Sequence, residues 1–179
     1  MITGPASRAV AQAAAARTRR EQAAAAFRPA RVHTLLVAEG PPSALDRYFY
    51  FLDIGVQDSL FRHVVEATFG EKPTRDKLPW LDELKTHGYF LIDLSVDPFD
   101  DPHELRPLAP DLVARCRALA PGRIVLIGAR VYDIAYDALH EAGLPVVDVR
   151  LPFPGSGQQR RFLELARPVL SITSRAPSR

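Results

Sequence analysis

Val32-His33-Thr34-Leu35-Leu36-Val37-Ala38-Glu39-Gly40-Pro41-Pro42 is a short apolar run that stops abruptly at a glycine and two prolines. It is too short for a helix of its own, and Gly-Pro-Pro forbids its continuation. The run predicts a strand, Val32–Ala38, buried on both faces and delivering a stiff loop at its carboxyl end. Downstream the same alternation repeats. Asp58–Phe69 has Leu60, Phe61, Val64, Val65 and Phe69 at helical spacing, with Asp58 or Ser59 as cap. Leu78–Lys85 predicts a second helix, Tyr89–Leu94 a strand, and Pro110–Leu119 a helix closed by Pro121-Gly122. Arg123–Gly128 predicts a third strand, Tyr132–Ala142 a helix ended by Gly143, Pro145–Leu151 a fourth strand and Gln158–Leu170 a last helix. Strands alternating with amphipathic helices imply βαβ units with right-handed crossovers. The expected fold is therefore α/β, a three-layer α/β/α sandwich around a mainly parallel four-stranded sheet.

The chain has 179 residues, of which 47% are apolar and 25% charged, enough for one domain with a real core. No apolar run approaches the ~20 residues of a membrane helix. One cysteine excludes a disulfide framework, a Cys-rich zinc site and a four-cysteine iron–sulfur cluster. His33, His63, His87, His103 and His140 are scattered without metal-ligand spacing. The net charge of +2 conceals segregation. Residues 1–31 hold six arginines against Glu21, and residues 150–179 hold six against Glu164, so both ends are basic and the middle is acidic. Basic ends can present a positive face to a polyanion; equally, arginine-rich tails can simply be solvated. Residues 1–31 form an Ala/Arg-rich extension with a helix expected over Ser7–Ala26 and a boundary at Arg28-Pro29. Its composition also suits an organellar transit peptide, and its charges exclude a secretory signal. Residues 32–170 form the domain, and 171–179 a basic tail.

In parallel α/β sheets ligands bind beyond the carboxyl ends of the strands. Four segments lie there: 39–51, 93–101, 129–133 and 152–161. In the last, Pro152-Phe153-Pro154-Gly155-Ser156-Gly157-Gln158-Gln159-Arg160-Arg161 opens a helix. Its glycines permit a tight turn, and helix-start N–H groups with Arg160 and Arg161 suit a phosphate. Capping alone is the plainer alternative. Arg160 stands where G-x-G-x-x-G needs its third glycine, and Ser156 does not meet G-x-S-x-G. In the first segment, Tyr48-Phe49-Tyr50-Phe51 should put Phe49 and Phe51 on one side and the tyrosines on the other, where an aromatic could stack on a flat ligand or simply fill core. Asp93 ends an apolar run, so its carboxyl must be paired, protonated or used as a cap.

The order and content of these segments resemble the uracil-DNA glycosylase superfamily over residues 32–170. Ala38-Glu39-Gly40-Pro41-Pro42 stands at the place of that family's G-Q-D-P-Y or G-E-A-P-G motif. Leu91-Ile92-Asp93 stands at its Leu-X-Asn, and Phe153-Pro154-Gly155-Ser156 at its H-P-S-P. The resemblance implies base excision, in which a nucleotide is flipped and water attacks its sugar carbon. Glu39 would position the water and Asp93 would read the base. Gly40, Pro41, Phe49 or Phe51, and Phe153 would surround it. Residues Pro154, Gly155, Ser156, Gly157, Gln158, Arg160 and Arg161 would grip DNA phosphates. No cofactor or metal is implied, and the expected protein is a cytoplasmic monomer with DNA as partner. Three departures shape the expectation. Gly40 replaces the water-activating Asp of one branch, Phe153 (or Pro152, one residue earlier) replaces a histidine donor, and Asp93 replaces the uracil-reading Asn. An ionised Asp93 would repel the uracil O4, so specificity should differ from uracil removal. The alternatives are a catalytically reduced member that binds nucleic acid or nucleotide, and an unrelated phosphate-binding α/β enzyme.

Overall fold

A computed structural model describes residues 5–44, 46–53, 58–155 and 157–172. Three strands form a parallel sheet in the order β2-β1-β3: β1 (Thr34–Ala38), β2 (Tyr89–Asp93) and β3 (Arg123–Leu126). The central β1 is buried at all five positions, as its unbroken apolar sequence requires. Seven helical segments complete the described chain: α1 (Pro5–Ala26), α2 (Ser59–Phe69), α3 (Leu78–Thr86), a 3-10 helix (Pro102–Leu108), α4 (Ala109–Leu119), α5 (Ala129–Glu141) and α6 (Gln159–Leu170). Asp58 caps α2, accepting from the Phe61 N–H at 3.0 Å, and Gly70 ends it at φ 78°. α2 packs on α6, α4 on α5, α3 on β2 and α5 on β3.

The expected fourth strand runs beside β3 and joins it only at isolated points. Ile124 pairs with Val146 and Ile127 with Leu151 as isolated parallel bridges. Between them the N–H groups of Val146, Val149 and Leu151 donate to the carbonyls of Leu144, Val147 and Val149 at 2.8, 2.9 and 3.1 Å. Those donors are spent within the segment. Pro145 has no N–H, and the charged Asp148 and Arg150 are exposed, so this edge makes few ladder bonds. The first helix begins at Pro5 and α5 begins at Ala129, three residues earlier than its apolar pattern suggests.

The N-terminal extension is docked. Arg20 of α1 is buried, donating to the Val96 carbonyl at 3.3 Å and to Asp97 at 3.1 Å. Arg17 pairs with Asp97. Arg19 lies 4.1 Å over the Phe51 ring, and Phe27 stacks on Tyr50 with centroids 6.0 Å apart. Lys85 donates to the Ala26 carbonyl at 2.8 Å. The helix contributes through arginines what its alanines cannot contribute as apolar bulk. Cys116 is buried in α4, and burial pushes its thiol up to about 11, so it is unreactive at neutral pH. No described helix is long and apolar enough to cross a membrane.

Candidate active site at the carboxyl ends of the strands

The β1–β2 register pairs Ala38 with Asp93, and the ladder continues as the Leu94 and Ser95 N–H groups donate to the carbonyls of Ala38 and Glu39 at 2.8 and 3.0 Å. Glu39 and Asp93 are therefore neighbours at one end of the sheet, although 54 positions separate them in the chain. Between them opens a cavity of about 270 Å³. Its wall includes Glu39, Gly40, Pro41, Phe49, Asp93 and Phe153, six of the residues expected at the site. Gly40 is needed for close approach, since a Cβ there would meet the Phe99 ring at 2.7 Å.

Asp93 borders the cavity with part of its surface, yet its carboxyl is surrounded by protein in depth. Desolvation raises it to about 7 against the opposing charges of Arg115 and Arg20. No described residue donates a hydrogen bond to its carboxyl oxygens. Arg115 instead donates to the main-chain carbonyls of Asp93 and Leu94 at 2.8 and 2.7 Å, which fixes the strand end, and with Arg20 it lines a smaller cavity of about 160 Å³ that Asp93 also borders. Near neutral pH such a carboxyl is partly protonated, and the protonated form both donates and accepts. That is the donor-and-acceptor pattern of a side-chain amide.

The aromatic segment is a turn rather than a strand, closed by the Phe51 N–H to the Tyr48 carbonyl at 3.0 Å. The expected alternation therefore fails. Phe49, Tyr50 and Phe51 are all buried and Tyr48 is half-buried. Phe49 reaches the cavity, packed edge-on against Phe61 at 5.6 Å. Phe51 does not line it, and packs instead against Tyr48 and beneath Arg19. The Tyr50 hydroxyl accepts from the Leu91 N–H at 2.6 Å and donates to its carbonyl at 3.1 Å, tying the turn to β2.

Lys77, unremarked in the sequence, anchors this turn from beneath. Its buried ammonium donates to the Phe49 carbonyl at 2.6 Å and to Asp58 at 3.2 Å, and burial lowers its pKa. Nothing in Arg75-Asp76-Lys77-Leu78 distinguishes it from a surface lysine.

The last loop divides. Phe153 stands at the cavity mouth, 39% exposed. Pro154 is buried, and its carbonyl accepts from the Ser59 hydroxyl at 3.1 Å, joining the loop to the start of α2. Gly155 crowds the Phe153 ring and Gly157 has φ 71°. Ser156 lies outside the described residues. A second groove of about 560 Å³ shares Glu39 and Phe153 with the cavity and is lined by Arg130, Arg150, Gln158 and Arg161. Arg160 is not part of it, and pairs with Glu164 at 3.4 Å on the surface of α6. Arg130 pairs with Glu39 across the boundary between groove and cavity. Arg150 makes a two-pronged bond to Asp133 at 2.7 and 2.6 Å. Among the described residues Arg161 has no ion-pair partner, and no group of three acid, histidine or cysteine side chains could hold a metal. Arg130 lies in the first turn of α5, four residues after β3, a position the topology marks as near the site, but its charge alone did not single it out. The chain matches no protein-family model and no curated protein.

Proposed function

We propose that the chain is a DNA base-excision glycosylase-like protein, a cytoplasmic monomer that hydrolyses the N-glycosidic bond of a flipped damaged or deaminated base other than classical uracil. The observation that carries the reading is the cavity itself. It joins an unpartnered acid able to read a base edge, a second acid beside it, and aromatic surfaces at wall and mouth. Its volume is just below the ~300 Å³ at which small-ligand pockets begin, which suits one planar ring rather than a whole nucleotide. In this reading Asp93 binds the base edge, Phe49 and Phe153 flank the ring, and Glu39 orients a water and takes its proton. The water oxygen bonds to the sugar carbon as the bond to the base nitrogen breaks, and the base leaves with the bonding electrons. The two helix pairs, α2 with α6 and α4 with α5, support a three-layer sandwich with 145–151 as a fourth edge member, because right-handed crossovers running opposite ways along the sheet put their helices on opposite faces.

One observation favours the second reading, a catalytically reduced protein that binds nucleic acid. Phe153 supplies no hydrogen to the departing base, and the loss of such a donor typically costs 10²–10³ in rate. The test is incubation with single- and double-stranded oligonucleotides carrying uracil, hypoxanthine or xanthine, followed by a count of abasic sites. Release of one base, slowed about 100-fold or more by Glu39→Gln, is the expected result. No abasic site at high enzyme and long incubation overturns excision.

A further inference from the structure

The arginine-lined groove and the cavity meet at one ion pair, Glu39 with Arg130, and that pair is shared property. Glu39 lines both spaces, whereas Arg130 lines only the groove. The pair is not sealed: the Arg130 side chain is 50% exposed and Glu39 29%. Arg150 is occupied by Asp133, and Arg161 faces the groove with no ion-pair partner among the described residues. The uncapped start of α5, at Gly128 and Ala129, completes the wall. The groove thus offers an anion one unengaged guanidinium and a second whose present partner is the acid of the neighbouring cavity. A guanidinium accepts a phosphate as readily as a carboxylate, through the same fork of N–H donors.

We propose that this groove takes a phosphate of a nucleic-acid strand and that Arg130 is a latch, held by Glu39 when the groove is empty and drawn to the phosphate when it is filled. Arrival of the strand then releases the Glu39 carboxylate into the cavity. Arg130 acts through Glu39 and is a positioning residue. The inference builds on the excision reading for the consequence of release, but the competition itself is a binding property and needs no cleavage.

The competition has a signature that simple repulsion lacks. A double-mutant cycle on binding of a plain, uncleavable single-stranded oligonucleotide reads it, with inorganic phosphate as a parallel probe. Glu39→Gln should tighten oligonucleotide binding about fivefold, the scale of a partly exposed ion pair. In an Arg130→Ala background the same change should do almost nothing, whereas Arg130→Lys should restore part of the gain. Binding of inorganic phosphate as tight as that of the oligonucleotide would assign the groove to free phosphate and overturn the strand. Equal tightening by Glu39→Gln in both backgrounds would reduce the effect to general charge repulsion and overturn the latch. So would the absence of oligonucleotide binding by wild type and Glu39→Gln alike. Wild type that releases a base while the cycle shows no coupling leaves excision standing and removes the latch; coupling without base release does the reverse.

Discussion

At the scale of single residues, Asp93 concentrates the consequences of the fold. Its sequence neighbourhood predicts a buried acid, and the structure adds what burial alone could not: Arg115 holds the main chain around it, while no described residue donates a hydrogen bond to its carboxyl. With a folded pKa of about 7 against an ordinary value of 3.8, the native state binds its proton more tightly than the unfolded chain does. Stability contributed at this site is therefore full below about pH 4 and is lost as pH rises to about 7, with little change above. At 1.36 kcal/mol per unit the effect is at most about 4 kcal/mol, less for a carboxyl that borders a solvent-filled cavity. Asp93→Asn should abolish this slope, so denaturant midpoints of variant and wild type should diverge in the variant's favour from pH 5 to pH 8. Parallel curves across that range would show that Asp93 is not desolvated. Lys77 teaches the opposite lesson. Its role in holding Phe49 comes from three-dimensional neighbours, and no local pattern carried it.

At the scale of elements, α1 is the largest departure from a reading of composition. An alanine-rich helix with arginines reads as a surface or docked extension of no specified contact, and three of those arginines engage Asp97, Phe51 and Asp53 in the loops beside the site. Docking of α1 thus steadies both the aromatic turn and the segment after Asp93. Arg20→Met should lower stability by about 1–3 kcal/mol, since it removes a buried guanidinium bonded to a carbonyl and a carboxylate. Because Arg20 also opposes the upward shift of Asp93, the same variant should move the midpoint of the Asp93 pH effect above about 7. A change in stability with no movement of that midpoint would confine Arg20 to packing. The strands and helices were far more legible than α1. Apolar period and cap residues are local properties, so β1, α2, α4 and β3 lie within about two residues of their expected bounds. The segment 145–151 meets β3 at two bridges rather than along a full ladder, because apolar alternation says nothing of where its N–H groups point.

For the whole molecule, charge is distributed differently from the chain's own order. Three of the six N-terminal arginines, Arg17, Arg19 and Arg20, face the protein's own acids and a ring, while Arg130, from the acidic middle, joins Arg150 and Arg161 in the groove. A strand bound there should meet few phosphates. With about two neutralised, by Arg130 and Arg161, the logarithm of the single-strand binding constant should fall with the logarithm of salt at a slope near −1.4, and Arg161→Ala should reduce it by about 0.7. A slope several times steeper would mean that a much larger surface, including the basic ends, is engaged.

By itself the sequence determined the α/β alternation, the loops that gather at one end of the sheet, and the acids and aromatics worth watching there. Apolar periodicity, caps and glycine–proline stops act over a few residues, and parallel topology then sends every β-to-α loop to the same end. Only the tertiary structure decided which of those residues share a cavity. It brought Glu39 beside Asp93 through the strand register, took Phe51 away, and set Arg130 against Glu39. It also left the Asp93 carboxyl without a hydrogen-bond donor among the described residues. Partnership and desolvation depend on what the rest of the chain puts within a few ångströms, and no local pattern encodes that.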